Sequence, residues 1–249
     1  MSTLLAAGGG PSAYWYLTRS TGAVALLLLT ASVALGVADV RRLSSPSWPR
    51  FVVDGLHRYV SLLAVIFVAL HVLTSVLDGF APISITAAII PFIGSYRPFW
   101  LGLGAVSFDL LIAVALTSIL RTRVSHRAWR ATHWLAYACW PIALLHTFGT
   151  GSDARSAWLL LLSIACVIVV ALAVLSRTLP GFSAHPRMNA AALGAVGAFG
   201  LFLVIWLPNG PLAKNWARRS GTPASLLGHS QSIPRAGSSQ ANSDGSASR

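Results

Sequence analysis

Six apolar stretches, each about 20 residues long, dominate this 249-residue chain. A helix needs about 20 predominantly apolar residues to cross a bilayer, whose hydrocarbon core is about 30 Å thick. Only 10% of the residues are charged, whereas a soluble domain carries about a quarter. These features predict an all-α polytopic membrane bundle of six transmembrane helices. The predicted spans are residues 20–38, 52–77, 98–120, 131–152, 156–176 and 190–207.

The spans divide the chain into four regions. We expect an N-terminal tail at 1–19, a transmembrane core at 20–178 and an additional transmembrane helix region at 179–213. Residues 214–249 follow, and the part from residue 220 is rich in Ser, Gly, Ala and Asn, which predicts a disordered C-terminal tail. Residues 79–96 are uncharged but interrupted by Pro82, Pro91 and Gly94. This pattern indicates a loop with an interfacial or re-entrant piece rather than a seventh span.

The formal charge of +12 does not indicate a nucleic-acid-binding protein, because the basic residues lie between apolar stretches rather than on one face. With six spans, nine arginines fall on one side of the membrane and six basic residues on the other. The positive-inside rule assigns the side with nine to the cytoplasm. We therefore expect a multi-pass protein of the cytoplasmic (plasma) membrane with both termini outside the cytoplasm.

Four of the seven histidines lie inside the predicted spans. His57 and His71 are fourteen residues apart on the second span, and His133 and His146 are thirteen apart on the fourth. These gaps correspond to about 21 and 19.5 Å along a helix. The two spans run in the same direction and the histidines lie at matching distances from the flanking charges. We therefore expect two layers, with His57 level with His133 near the cytoplasmic face and His71 level with His146 near the other face.

One imidazole from each of two helices is the ligand set of a haem iron with both axial positions filled. Such a haem carries electrons, because no position stays open for oxygen or substrate. The sequence therefore predicts two haems between the second and fourth helices, forming an electron path across the membrane. A metal site or proton relay is the other functional interpretation. Histidines about 20 Å apart cannot share one ion, and no intramembrane Glu or Cys completes a metal set.

The cysteines add no ligand set. Cys139 and Cys166 lie inside apolar segments and form neither a CxxC nor a CxxCH motif, so we expect small buried apolar side chains and no covalently attached haem. The spacing of the fourth span leaves one difficulty, because thirteen residues miss the same helix face by about 140°. Pro141 lies between the two histidines and is expected to kink and re-phase the helix.

At these residues the chain resembles the ferric reductase-like transmembrane domain family. That family includes NADPH oxidases, ferric reductases and the haem-binding membrane subunit of the bacterial methionine-sulfoxide reductase system. The stretches "LHRYVSLLAVIFVALH" and "THWLAYACWPIALLH" carry its histidine spacing, and "RTRVSHRAWRATHW" resembles its short basic cytoplasmic loop. The likeness covers roughly residues 15–178. It implies two b-type haems, each held by one histidine from each helix.

The resemblance also implies redox partners. Within this sequence we find no GxGxxG motif and no soluble domain, so we expect NAD(P)H oxidation on another polypeptide and assign no catalytic residue. The expected donor is a cytoplasmic flavoprotein reductase or a membrane quinol. The expected acceptor is ferric iron, an extracytoplasmic flavin-binding protein or another exported reductase. Two alternatives stay open, a transporter or channel lined by histidines and a haem-independent membrane anchor for a partner enzyme.

Several other residues have two interpretations each. Arg58 and Arg130 lie next to the haem histidines and either pair with a haem propionate or reach the lipid headgroups. Asp109, at the middle of the third span, is a proton donor to a quinone, a haem-side hydrogen-bond donor or an interhelical hydrogen-bond partner. Two acidic residues, Asp78 and Asp153, either guide a cation or partner or are solvated in loops. Three aromatic residues wall the haem pocket, anchor the helix at the membrane interface or pack ordinarily: Trp134, Tyr137 and Trp140.

Overall fold

A computed structural model of the protein describes residues 12–40, 49–151, 153–178 and 186–227. These residues are all-helical, and no strand occurs among them. The ten helices are α1 (Ala13–Val40), α2 (Arg50–Leu77), α3 (Ile85–Ile89), α4 (Pro98–Ile119), α5 (His126–His133), α6 (Ala136–Thr150), α7 (Ala157–Thr178), α8 (Pro186–Asn209), α9 (Trp216–Arg219) and α10 (Ala224–Leu227).

Five of these helices are long and apolar enough to cross a membrane, namely α1, α2, α4, α7 and α8. The sequence predicts a further continuous span over residues 131–152. The structure instead divides this region into α5 and α6, with the interruption at Trp134 and Leu135. Neither piece alone has the length of a span, so the prediction of six transmembrane helices stays a prediction.

The first helix starts earlier than the hydropathy pattern predicts. It begins at Ala13 rather than near residue 20, because Ser12 accepts a hydrogen bond from the Trp15 N–H at 3.0 Å and no proline or glycine follows before Gly22. Arg19 therefore lies inside α1 rather than in a tail. There it forms an ion pair with Asp153, in the turn between α6 and α7.

The bundle is organised around α1 and α6. The first helix packs along α2 on one side and against α7 on the other, while α6 packs mainly against α4 and also contacts α1. The largest buried cluster lies where α1, α6, α7 and α8 meet, and Leu26, Leu144, Cys166 and Leu203 belong to it. Many of the large apolar side chains on the outer faces of the helices are exposed, which is the pattern of helices surrounded by lipid.

The segment between α2 and α4 does not span the bundle. It contains only the five-residue helix α3, with Ser84 capping it by accepting a hydrogen bond from Ala87 N–H at 3.1 Å. The backbone then takes left-handed conformations at Phe92 (φ 69°) and Arg97 (φ 41°), immediately before Pro98 opens α4. These turns bring the Phe92 ring against Gly102 and fold the segment over the end of α4.

The first part of the predicted disordered tail contains two short helices. Residues 214–227 include α9 and α10, and the rest of the predicted tail, 228–249, lies outside the described residues. Arg97 holds this part to the bundle, donating to Gly149 O at 3.0 Å and to Thr222 Oγ1 at 2.9 Å. Burial lowers the pKa of the Arg97 guanidinium, and the neighbouring Tyr96 partly opposes this effect. Hydrogen bonds therefore compensate for burying a cation.

Candidate functional site

The four intramembrane histidines meet as two facing pairs. His57 of α2 faces His133 of α5 with ring centroids 6.3 Å apart and ring planes at 74°. His71 of α2 faces His146 of α6 at 6.2 Å and 80°. We refer to these pairs as the His57 layer and the His71 layer. The pairs are those predicted from matching depths in the sequence, and fourteen residues of α2 separate them by about 21 Å.

The spacing within each layer suits one metal ion between the rings. Two imidazole nitrogens on opposite sides of one ion, each about 2 Å from it, put the ring centroids roughly 6 Å apart. Zinc sites use three or four protein ligands, and the described residues contain no group of three or more His, Cys, Asp or Glu side chains that could hold a metal. A haem iron needs only two, because the porphyrin supplies the other four nitrogens. The donor sets therefore fit haem.

Three of the four imidazoles are oriented by a backbone carbonyl. In each case Nδ1 lies within hydrogen-bond distance of a carbonyl oxygen, which only accepts, so Nδ1 carries the proton and the lone pair of Nε2 is free to bind a metal. The pairs are His57 with Ser32 O at 3.0 Å, His71 with Thr18 O at 2.8 Å and His146 with Trp100 O at 2.9 Å. This arrangement is typical of metal-binding histidines.

A glycine on the neighbouring helix accompanies each of these three histidines. A Cβ atom added at Gly22 would lie 3.0 Å from His71 Cε1, and one at Gly36 would lie 3.2 Å from His57 Cε1. A Cβ at Gly104 would overlap the His146 ring. Each glycine lies four residues after the residue whose carbonyl accepts the hydrogen bond. The missing side chain therefore lets the ring reach the backbone of the neighbouring helix.

The sequence did not lead us to predict these glycines and carbonyls, although it contains a spacing pattern that marks two of the three glycines. Gly22 and Gly36 are fourteen residues apart on α1, the same separation as His57 and His71 on α2. Ser61 and Ser75 repeat it as well, donating to the carbonyls of His57 at 2.7 Å and His71 at 2.6 Å. The α1–α2 pair therefore repeats one arrangement at two depths, with a glycine and a carbonyl on α1 and a histidine and a serine on α2.

The interruption between α5 and α6 offsets part of the phase difference that the thirteen-residue spacing produces. Thirteen residues of α-helix fall about 140° short of four turns, whereas each residue wound as 3₁₀-helix adds about 20°. Three N–H groups donate to the carbonyl three residues back: Leu135 to Thr132, Tyr137 to Trp134 and Ala138 to Leu135. Pro141 cannot donate to the Tyr137 carbonyl, which favours this tighter winding just before it. The interruption itself lies at Trp134 and Leu135.

A cavity of about 260 Å³ surrounds the His71 layer. His71, His146, Gly22 and Gly104 line its inner part, together with largely apolar side chains of α1, α2, α4 and α6. Toward the end of the bundle its lining becomes polar and aromatic, with Trp15, Arg19, Asp78, Tyr96 and Asp153. Asp78 accepts a hydrogen bond from Ser12 at 2.8 Å, and Asp153 pairs with Arg19. Both acidic residues therefore have protein partners.

The other predicted site residues lie around this frame. Arg58 and Arg130 are exposed on α2 and α5, where their proposed contact with a haem stays a proposal. Asp109 is exposed in the middle of α4 and does not line the cavity. Among the aromatic residues, Trp134 is exposed, Tyr137 accepts a hydrogen bond from Arg177, and Trp140 is buried and donates to Thr30.

The comparisons with known proteins agree with this picture. The family described as ferric reductase like transmembrane component matches residues 21–149, which is more than half of the chain and includes all four histidines. No curated protein and no solved structure matches the chain. The matched region extends from α1 to the end of α6. The chain therefore belongs to the ferric reductase like transmembrane component family.

Proposed function

We propose that this protein is a transmembrane di-haem cytochrome b that carries electrons across the cytoplasmic membrane. The observation that carries the proposal is the pair of histidine layers, each with two imidazoles facing each other at about the spacing that one metal ion requires. When bound, haem supplies the one-electron chemistry. Four imidazole nitrogens of the chain would hold the haems, three of these imidazoles are oriented by backbone carbonyls, and α2 keeps the two layers about 21 Å apart.

The proposed direction is from a cytoplasmic donor to an acceptor outside the cytoplasm. The donor is a flavoprotein reductase or a membrane quinol, and the acceptor is ferric iron, an exported flavin-binding protein or another exported reductase. Membership of the family supports redox partners in a membrane context. Exposed arginines beside the His57 layer support its assignment to the cytoplasmic side: Arg121, Arg123, Arg127 and Arg130.

The test is a count of haem per chain. The full chain is expressed with an ample haem supply and purified in detergent, and its dithionite-reduced minus oxidised spectrum is combined with a pyridine haemochrome assay. We expect two b haems in the native chain and one each in His57→Ala and His71→Ala. His185→Ala, which changes a histidine of the predicted loop after the fifth predicted span, is the matched control and should keep both haems.

Two results would contradict this proposal. Folded native protein without haem would favour a transporter or channel, or a membrane anchor that works without haem. One haem in the native chain would mean that one histidine pair is not a ligand pair. The variants then identify which layer is filled, because only substitutions in that layer remove the remaining haem.

A further inference from the structure

His133 is held differently from the other three histidines. Its Nδ1 atom is buried and makes no hydrogen bond within the described residues, whereas Nδ1 of His57, His71 and His146 lies 2.8–3.0 Å from a backbone carbonyl. A buried imidazole nitrogen without a partner loses the usual means of setting the orientation of the ring. Another contact must therefore orient His133.

Trp129 supplies that contact. Trp129 lies one turn of α5 before His133, and the two rings are in contact. Their centroids are 5.1 Å apart and their planes meet at 24°, which is the geometry of offset stacking. The indole Nε1 atom is also buried without a hydrogen-bond partner in the described part of the chain. The indole therefore contributes its flat face rather than its N–H group.

The surroundings of α5 give His133 few other constraints. None of the residues of α5 is buried, and the helix ends at His133, immediately before the interruption at Trp134 and Leu135. His146, by comparison, lies within α6 and is packed against Gly104 of α4. Trp129 and His57 are the two aromatic side chains whose rings contact His133 in the described residues.

We propose that Trp129 is the positioning residue of His133, in the role that a backbone carbonyl has for the other three histidines. This proposal rests on the proposed haem-binding function. The missing carbonyl contact of His133 has a consequence of its own. An Nδ1–H that donates to a carbonyl makes the imidazole a stronger electron donor to its metal. With only one such histidine, the His57 layer should hold its haem less tightly and at a higher reduction potential than the His71 layer.

The experiment compares Trp129→Leu, which removes the ring, with Trp129→Phe, which keeps an aromatic face. Trp134→Leu is the matched control, since Trp134 is an aromatic residue next to His133 in the chain but contacts Tyr137 and Arg177 instead. For each variant, the haem content per chain is measured, and the signals of low-spin ferric haem are recorded by electron paramagnetic resonance of the oxidised protein. Redox titrations of His71→Ala and His57→Ala then report the His57 layer and the His71 layer separately.

We expect Trp129→Leu to lose at least half of the haem of the His57 layer, while Trp129→Phe and Trp134→Leu keep two haems per chain. We also expect the midpoint potential of His71→Ala to lie above that of His57→Ala. A Trp129→Leu protein with both haems and unchanged signals would overturn the proposal, and so would the reverse order of potentials. If the Leu variant does not accumulate, Trp129→Met replaces it, and partial loss of haem from Trp129→Phe also counts against the proposal. Native protein without haem would instead overturn the proposed function.

Discussion

The His71 ring lies so close to Gly22 that a methyl group there would be 3.0 Å from two of its atoms, Cε1 and Nδ1. Two antiparallel helices approach here without a side chain between them, and the Thr18 carbonyl becomes accessible to the imidazole. The same relationship links Gly36 with His57 and Gly104 with His146. Haem binding should therefore depend on three glycines that bind nothing themselves.

Alanine at these glycines should displace the histidines in a graded order. We expect the largest loss of haem in Gly104→Ala, where the methyl group would overlap the ring, a smaller loss in Gly22→Ala and the smallest in Gly36→Ala. The pyridine haemochrome assay measures haem per chain. Gly197→Ala in α8 is the control, because nothing lies within 4 Å of a Cβ there and alanine favours helix by about 1 kcal/mol. Equal haem content in all four variants would refute this role for the glycines.

The ion pair between Arg19 and Asp153 joins the start of α1 to the turn between α6 and α7 at the mouth of the cavity. The two side chains are only 23% and 19% exposed. Replacing one partner alone therefore leaves a poorly solvated charge. We expect Asp153→Asn to lower the thermal stability of the purified protein, and Arg19→Gln to do so as well.

A double-mutant cycle measures the energy of this pair. The variant with both substitutions should be more stable than the two single effects predict, with a coupling of about 0.5–3 kcal/mol. Asp54→Asn on the exposed surface of α2 is a control that should change stability little. Strictly additive effects would mean that the pair does not stabilise the fold.

Arg97 is the second polar link at this end of the bundle, joining α4 to Gly149 and Thr222. Arg97→Met should lower the free energy of unfolding by about 1–3 kcal/mol, because it removes the two side-chain hydrogen bonds to Gly149 O and Thr222 Oγ1. Limited proteolysis provides the more specific measurement, since loss of the link should release residues 214–227. Arg155→Met, at an exposed arginine that bonds to the Ala213 carbonyl, tests whether any arginine near this segment has the same effect.

Asp109 is exposed at the middle of α4 and lies outside the lining of the His71 cavity. Its position outside this cavity does not support a hydrogen bond to a haem in the His71 layer. We expect Asp109→Asn to leave both haem spectra and both midpoint potentials unchanged. Asp109→Leu should insert into membranes at least as well as the native chain, because a carboxylate at the helix centre costs about 3 kcal/mol. A shifted haem spectrum in either variant would show that Asp109 interacts with a haem after all.

Electron transfer to a quinone tests the interpretation of Asp109 as a proton donor. If its carboxyl group donates a proton to a lipid-soluble quinone, Asp109→Asn should slow reoxidation of the reduced haems by a quinone but not their reduction by dithionite. If it only bonds to a neighbouring helix, both rates should stay as they are in the native protein. Stopped-flow absorbance of the haem band measures both rates in the same preparation.

The sequence alone indicated that the chain has membrane-spanning helices and which four of its seven histidines lie within the predicted spans. Both are local properties, since a run of about 20 apolar residues is required by the bilayer whatever its neighbours are. The matching depths of His57 with His133 and of His71 with His146 also followed from counting residues to the flanking charges. The resemblance to the family rested on the same histidine spacing, and the family match over residues 21–149 confirms it.

Only the tertiary structure decided which surfaces the histidines meet. The carbonyls of Thr18, Ser32 and Trp100 belong to α1 and α4, and the sequences of α2 and α6 alone do not indicate which neighbouring helix approaches each histidine. The break before α6 and the stack of Trp129 on His133 likewise depend on how α5 and α6 pack against their neighbours. Hydropathy reports the exchange of side chains between water and lipid, whereas contacts between helices depend on the complementary shapes of particular surfaces.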